Sequence, residues 1–501
     1  KTVMAQGQSV DAFLTINTKP NLNFSIAYKG LRSLGKYVNF LSSSGNFRFT
    51  SSYFTKDKRY VLNAHFTGQD LSNQENGGIV NTSDFENNPN EQFTERDRLD
   101  VYFENATSLL KGNRFFVDHS FKLSKTNSNS LVFTHQFTQE YKFFDFSQPV
   151  ASDRFGSYYS SNINTKTRFN SLYNKLGVAY KTKAYGDLTF FIEDNQYNYY
   201  YNSAVFNSSG NISIPNAISD RINLVGGTYS YLYTDKLKGN FTVAQAVTNQ
   251  GVSNVNANIN YKLSPDYQFE LDYQKLNSLP NLNYTLYQSN YVDYNWFNNF
   301  KTEKLNQFTF NAKTKWLNIT AQYRIVNDYL YFDNVTNTIE TLTVKPVQYD
   351  KTINYLAIKA SKEIKFWKLA LDNTVLYQNV EQSTAVLNVP QITTRNTLYF
   401  SDYVFKKAML IQTGVTFQYF TKYYANDYNP LIGEFYTQNE TKIGNFPLID
   451  FFINARIRQT RIFLKAEHVN AAWTGTNYYA APNYPYTDFI IRFGLVWNFF
   501  Q

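Results

Sequence analysis

The feature that most limits this chain is a period of two. Tyr267, Phe269, Leu271 and Tyr273 fall on every second position, with Gln268, Glu270, Asp272 and Gln274 between them. Successive side chains of a strand point to opposite faces, so this segment is a β-strand with one apolar and one polar side. Leu317, Ile319, Ala321, Tyr323 and Ile325 alternate in the same way with Asn318, Thr320, Gln322 and Arg324. So do Val255, Ala257, Ile259 and Tyr261 with Asn254, Asn256, Asn258 and Asn260. A soluble sandwich also contains such strands. Here the pattern recurs from Val10 to Phe500 with no linker, whereas a soluble chain of 501 residues would divide into domains.

No apolar run reaches the roughly 18 residues of a membrane helix, so only a closed sheet of strands could span a bilayer. Aromatic residues make up 18% of the chain while mean hydropathy is −0.45, a composition rich in strand formers yet too polar for an apolar interior. Half of every strand must therefore face water. The absence of Cys excludes a disulfide framework and thiolate zinc sites, neither of which a barrel needs. Lys1 follows neither an initiator Met nor an apolar signal segment, and a secretion signal is expected upstream.

Connections alternate in length. Tight turns are expected at Lys19-Pro20-Asn21, Thr55 to Lys58, Thr234-Asp235, Ser264-Pro265-Asp266, Lys313-Thr314-Lys315, Lys362 to Lys365, Phe405-Lys406-Lys407 and Gln459-Thr460. Between them lie longer pieces: Leu31 to Ser44, Leu71 to Asn113, Ser278 to Asn299, Asp333 to Asp350, Lys422 to Phe446 and Ala471 to Tyr486. The fold class that follows is all-β, a single transmembrane antiparallel β-barrel domain over 1–501 with short periplasmic turns and long extracellular loops. At roughly 9–11 residues per strand the count is about 21, or about 22 with one strand before Lys1, within a range of about 18 to 22. Tyr197, Tyr199, Tyr200 and Tyr201 are expected in an interfacial aromatic girdle.

The last segment is the most specific. Phe489, Ile491, Phe493, Leu495, Trp497 and Phe499 alternate with Ile490, Arg492, Gly494, Val496 and Asn498, and Phe500 follows. This resembles the C-terminal assembly signal of outer-membrane proteins, although Gln501 stands where the aromatic residue is usually last. The runs KTVMAQGQ (Lys1–Gln8), NFSIAYKGLRSLGKY (Asn23–Tyr37), ENGG (Glu75–Gly78), RDRLDV (Arg96–Val101) and LLKGNRFFVDH (Leu109–His119) resemble the putative porin family of the Bacteroidota. The resemblance implies an outer-membrane barrel with a signal peptide and further chain upstream of Lys1. It transfers no functional residues.

Barrel enzymes exist, so an active site must be looked for. His65, His119, His135 and His468 sit in no nucleophile motif or metal pair, and His65 shares a polar strand face with Asn63 and Thr67. Glu270 and Asp272 lie two apart on one face, which suits acid–base work but is also what any polar strand face gives. The long segment Leu71 to Asn113 carries Glu75, Asp84, Glu86, Glu91, Glu95, Asp97, Asp100 and Glu104; its part from Asp84 to Asp100 has oxygen ligands that could hold a divalent cation, but it lacks the glycine-centred spacing of a calcium loop and reads as solvated. No enzyme activity, metal or cofactor is expected. The net charge of +9 is spread over many turns rather than gathered, so a nucleic-acid partner is not expected either.

What remains is a lumen. Turning each polar face inward places Asp11, Lys29, Arg48, Glu270, Asp272, Arg324, Lys359, Lys368, Asp372, Arg456, Lys465, Glu467 and Arg492 on its wall, because a charge facing lipid at midplane costs about 2–4 kcal/mol for Arg or Lys. Arg456, Lys465 and Arg492 could form a basic ladder that biases ion passage, or could pair with Glu467 and other acids. A barrel this wide needs a filling, for which Leu71 to Asn113 and a region before Lys1 are the two candidates; the loop is expected to fold inward, its Leu109-Leu110 and Lys111-Gly112 forming a short helical turn and its acids facing the basic wall. Ser278 to Asn299 is expected over the rim. The expected function is passive diffusion of small hydrophilic solutes across the outer membrane of a Gram-negative bacterium. The alternatives are the barrel of an energised nutrient transporter or a non-conducting subunit of a secretion or assembly complex. Expected partners are outer-membrane lipid and lipopolysaccharide, the barrel-assembly machinery, and other outer-membrane proteins or lipoproteins.

Overall fold

A computed structural model describes residues 7–86, 91–125, 129–182, 184–336 and 341–499. One antiparallel sheet of 21 strands dominates it. In chain order these are β1 (Gly7–Lys19), β2 (Leu22–Leu34), β3 (Leu41–Phe54), β4 (Tyr60–Glu75), β5 (Ala106–Lys122), β6 (Ser130–Gln148) and β7 (Ile163–Thr182). Then follow β8 (Gly186–Tyr200), β9 (Ala217–Thr234), β10 (Leu237–Ala246), β11 (Ser253–Ser264), β12 (Tyr267–Ser278), β13 (Glu303–Lys313) and β14 (Asn318–Asn327). The last are β15 (Ile353–Phe366), β16 (Leu369–Glu381), β17 (Ile392–Val404), β18 (Met409–Phe420), β19 (Leu448–Ile457), β20 (Thr460–Glu467) and β21 (Ile490–Trp497). Each pairs with its neighbour in sequence, and among the described residues no ladder joins β1 to β21.

The sheet is wrapped round. The β20–β21 connection meets the β4–β5 connection, where the Ile79 amide donates to the Asn483 carbonyl at 2.8 Å, although fifteen strands lie between β4 and β20 along the sheet. Lys36, between β2 and β3, reaches Asp488 at 3.2 Å. Only a sheet curled until its two ends approach brings these groups together.

Register assigns the faces. Leu271 lies opposite Ile259 and Phe310, Phe310 opposite Ala321, and Ala321 opposite Ile358, so the apolar positions of β11–β15 share one side. Leu271 is 50% exposed, Phe308 46% and Phe493 61%; such a belt in water would be a large aggregation surface, and in a bilayer it is the lipid contact. The opposite side, over which the loops fold, is the inner face.

The tightest turns lie at one end and all the long loops at the other, where two connections, 35–40 and 247–252, are only six residues long. Two details differ from the sequence reading. Lys362 to Lys365 belong to β15, and the turn is Trp367-Lys368, with Trp367 in the left-handed region at φ 55°. A two-residue hairpin demands that conformation, and no glycine or asparagine marked it here. The aromatic girdle also lies elsewhere: Tyr185, Trp316, Phe366, Trp367 and Phe405 stand exposed at the turn end, whereas Tyr199 and Tyr201 are buried under loops. The reason is strand length. β6 and β7 run for 19 and 20 residues, about twice what a bilayer needs, so their loop-side halves project beyond it by roughly 25–30 Å. The outer face of that projection is polar, with Arg221 paired to Asp194 at 2.6 Å and Lys166 to Asp145 at 2.8 Å.

Candidate functional site

The charged side chains of the inner face stand in distinct environments. Arg48, Glu270, Asp272, Arg324, Asp372, Arg456, Lys465, Glu467 and Arg492 all fall on inner-face positions of their strands. Lys368 does not: it lies in the β15–β16 turn, next to Asp402, because β16 starts one residue later. On β11–β13 the acids are held by amides. Glu270 accepts from Asn258 at 2.7 Å and Asn311 at 3.3 Å, and Asp272 from Asn256 at 3.2 Å, which employs two of the four asparagines of β11. Arg324 lies over the Tyr355 ring at 5.8 Å.

The basic ladder is not a ladder of one sign. Lys465 bridges Asp450 (3.0 Å) and Glu467 (2.9 Å), and Arg492 meets Glu467 at 2.7 Å. Arg456 donates to the Tyr403 hydroxyl at 3.3 Å. Glu467 sits between two cations because β20 and β21 pair Lys465 with Arg492 directly, and like charges placed opposite each other need a counter-charge. In the closing strand Ile491, Phe493, Leu495 and Trp497 lie on the outer face; Phe489 precedes the strand and Phe499 follows it, stacked on Trp497 at 4.3 Å. Phe500 lies outside the described residues.

Above the wall the loops form a cap with its own aromatic core. Phe155, Leu286, Tyr287, Tyr291, Tyr294, Trp296, Phe332, Val344, Leu431 and Tyr436 are buried together with Phe146 and Ile163 of the inner wall. A second core joins Ile79, Phe85, Leu99, Ile443, Phe446, Tyr478 and Tyr479. Loops that start far apart on the barrel touch directly. Arg154, between β6 and β7, accepts through its carbonyl from the Leu342 amide, between β14 and β15, at 2.7 Å. Eight strands separate these connections, roughly 40 Å of wall, so the loops cross the mouth rather than line it.

The Tyr294 hydroxyl ties three of them. It donates to the Leu342 carbonyl (2.7 Å) and accepts from Asn429 Nδ2 (3.0 Å) and the Val344 amide (3.3 Å). Burial pushes this phenol far above its ordinary value, so it stays a donor. Asp427 lies nearby; burial raises its carboxyl to about 6, opposed by hydrogen bonds from the Tyr436 hydroxyl (2.8 Å) and the Tyr428 amide. Burial also works against Asp488, but the Arg96 guanidinium at 3.1 Å and the Tyr478 hydroxyl at 2.6 Å hold it below the usual carboxylate range.

Sequence reasoning placed the filling differently. Leu109 to Gly112 are not a helical turn but part of β5, paired in register with Gln69 to Ser72, because β4 and β5 continue as strands beyond the bilayer. The acidic connection meets loop partners rather than the basic wall: Glu86 accepts from the Tyr479 hydroxyl at 2.8 Å, and Glu95 pairs with Arg98 at 2.6 Å within the loop. The segment expected over the rim supplies the centre of the cap. Its Tyr291, Tyr294 and Trp296 were the legible signal, aromatic residues too large to leave in a solvated loop. His119 meets the Tyr60 hydroxyl through Nδ1 at 3.4 Å and His135 through Nε2 at 2.9 Å, on the outer face, and His65 stacks on Phe116 at 4.7 Å.

No curated protein matches the sequence. Among solved structures, the siderophore receptor PirA from Acinetobacter baumannii is similar at 10% identity, with a TM-score of 0.66, over 98% of this chain and 77% of that one. The ferric enterobactin receptor PfeA in complex with BCV-L6 is similar at 11% identity and a TM-score of 0.65, over 98% and 78%. The pyoverdine outer membrane receptor FpvA from Pseudomonas aeruginosa is similar at 11% identity and a TM-score of 0.60, over 99% and 77%. At such identities the likeness is one of fold, an outer-membrane barrel. The sequence model of the family described as Putative porin matches residues 1–501, and this chain, a protein of the Gram-negative outer membrane, belongs to that family.

Proposed function

We propose that the protein lets small hydrophilic solutes diffuse passively across the outer membrane, along the polar inner face, with the loop cap as a narrow entrance that must open or leave a restricted path. The observation that carries this reading is the cap itself, which joins loops across the mouth above a charged and amide-lined wall. A wide open pore would need no buried aromatic core there. On this reading the outer face meets outer-membrane lipid and lipopolysaccharide, and the Phe489–Phe500 segment engages the barrel-assembly machinery. The test is single-channel recording on the purified chain in planar bilayers. Small, infrequent openings are expected, with larger conductance and passage of larger sugars into liposomes once residues 281–298 are deleted. A folded barrel silent before and after that deletion would refute passive conduction. A second reading, energy-coupled uptake, is favoured by the fold likeness to ligand receptors; its mark would be uptake that stops when the proton-motive force is collapsed.

A further inference from the structure

On the opposite edge of the sheet from the neutralised Lys465 and Arg492, the inner face of β1–β6 forms a concavity of about 580 Å³. Its chemistry is set by two adjacent rows of cross-strand partners. One row runs Asp11, Lys29, Asn46, Gln69, Gly112 and Lys142; the other runs Ala27, Arg48, Thr67, Arg114 and Glu140. The only ion pair among these residues is Lys142 with Glu140 at 2.9 Å. Among the described residues no carboxylate lies within ion-pair distance of Lys29, Arg48 or Arg114. The hydrogen bond of Arg114 goes to His65 Nε2 at 3.2 Å, and since a guanidinium only donates, that ring nitrogen accepts and neutralises nothing.

The floor is cut away beneath these cations. Gly112 stands where a Cβ would come within 2.8 Å of the Lys142 Cβ, and Ala27 and Thr67 flank Arg48. Small residues thus leave room between long basic side chains that project into the enclosed space and remain solvated there. Charges of one sign two strands apart repel, and the arrangement is favourable when an anion lies between them. The volume is that of a small-molecule site, and paired arginines match the forked oxygens of carboxylate, phosphate or sulfate groups.

We propose that this concavity is a binding station for an oxyanion-bearing solute, held by Arg48 and Arg114 with Lys29 and Lys142 supplying further charge. It rests on the reading that the inner face lines the solute path. Because that face is turned away from the bilayer, the occupant is a dissolved anion rather than a lipid headgroup.

The experiment is calorimetric titration of the purified full chain in neutral detergent with pyrophosphate, with sucrose as the uncharged control. Saturable pyrophosphate binding that weakens with added salt is expected, and none for sucrose. Arg48→Gln with Arg114→Gln should weaken it by roughly tenfold or more per arginine. Arg456→Gln, on the inner wall but outside the concavity, should leave it unchanged. Strand content and heat-modifiable migration confirm that each variant is folded. Equal affinity in the wild type and the double variant, or no binding in a folded wild type, overturns the site. Binding without any channel current would instead remove passive conduction and leave the site standing; current without pyrophosphate binding would do the reverse.

Discussion

Replacing Tyr294 by Phe isolates the contribution of one hydroxyl to the cap. The ring stays, with its contacts to Phe155 at 5.5 Å and Tyr291 at 6.3 Å, so no cavity opens. What is lost is the donor to the Leu342 carbonyl and the acceptor for Asn429 Nδ2, with a longer third bond to the Val344 amide. Asn429 is fully buried and keeps its Oδ1 bond from the Leu431 amide, so its Nδ2 is left unpaired. A buried group left unsatisfied costs about 1–3 kcal/mol, and two such groups make the cap easier to open by about 2–6 kcal/mol. At about 1.4 kcal/mol per factor of ten, opening becomes at least roughly 30-fold more frequent, and up to about 20,000-fold. Hydrogen exchange followed by mass spectrometry on the barrel in detergent reads this directly. Exchange should quicken in the connections 279–302, 328–352 and 421–447, with the ladders of β11–β14 unchanged. Unaltered loop protection would refute the claim that this hydroxyl ties the loops, and equal loss in loops and strands would refute a cap that opens on its own.

Asp427 gives the cap a pH dependence. Its folded value of about 6 lies above the unfolded one, so its contribution to cap stability is full below about pH 4 and declines as pH rises through about 6. Loop exchange, corrected for intrinsic rates, should therefore be slower at about pH 4 than at about pH 7, and Asp427→Asn should flatten the difference. Gly78 has φ 88°, and a Cβ there would come within 2.8 Å of the Asn483 carbonyl oxygen; Gly78→Ala should weaken the docking of 76–105 on 468–489 by about 1–3 kcal/mol, measured by exchange in the latter segment. Phe493→Lys puts a charge on the lipid side of β21 at a cost of about 2–4 kcal/mol if near midplane, and heat-modifiable migration from membranes should show reduced assembly. Glu467→Gln removes the carboxylate between Lys465 and Arg492, so the reversal potential in a salt gradient should move toward anions; no movement would place these residues off the conduction path.

The sequence by itself determined the sheet. A side-chain period of two is a local property of the extended backbone, so the alternation in Tyr267–Tyr273 or Phe489–Phe499 is enough to say which residues share a face. Turn residues such as Pro20 and Pro265 mark where a strand must reverse. Where the turn carries no such residue, as at Trp367, local reading slipped by several positions, because pairing with β16 rather than local preference holds the backbone in the left-handed region. The inner position of Arg48 or Glu270 was legible for the same reason as the strand itself. Which cations are neutralised was not. Lys465 meets Asp450 only because β19 and β20 are aligned in one register, and Arg114 goes without an ion pair, although β6 places Glu140 opposite it, because Glu140 turns to Lys142 on its own strand. The cap belongs wholly to tertiary structure. Tyr294, Leu342 and Asn429 are dozens of residues apart and have no periodicity to link them; a wrapped sheet brings their loops to one mouth, and burial of aromatic surface holds them there.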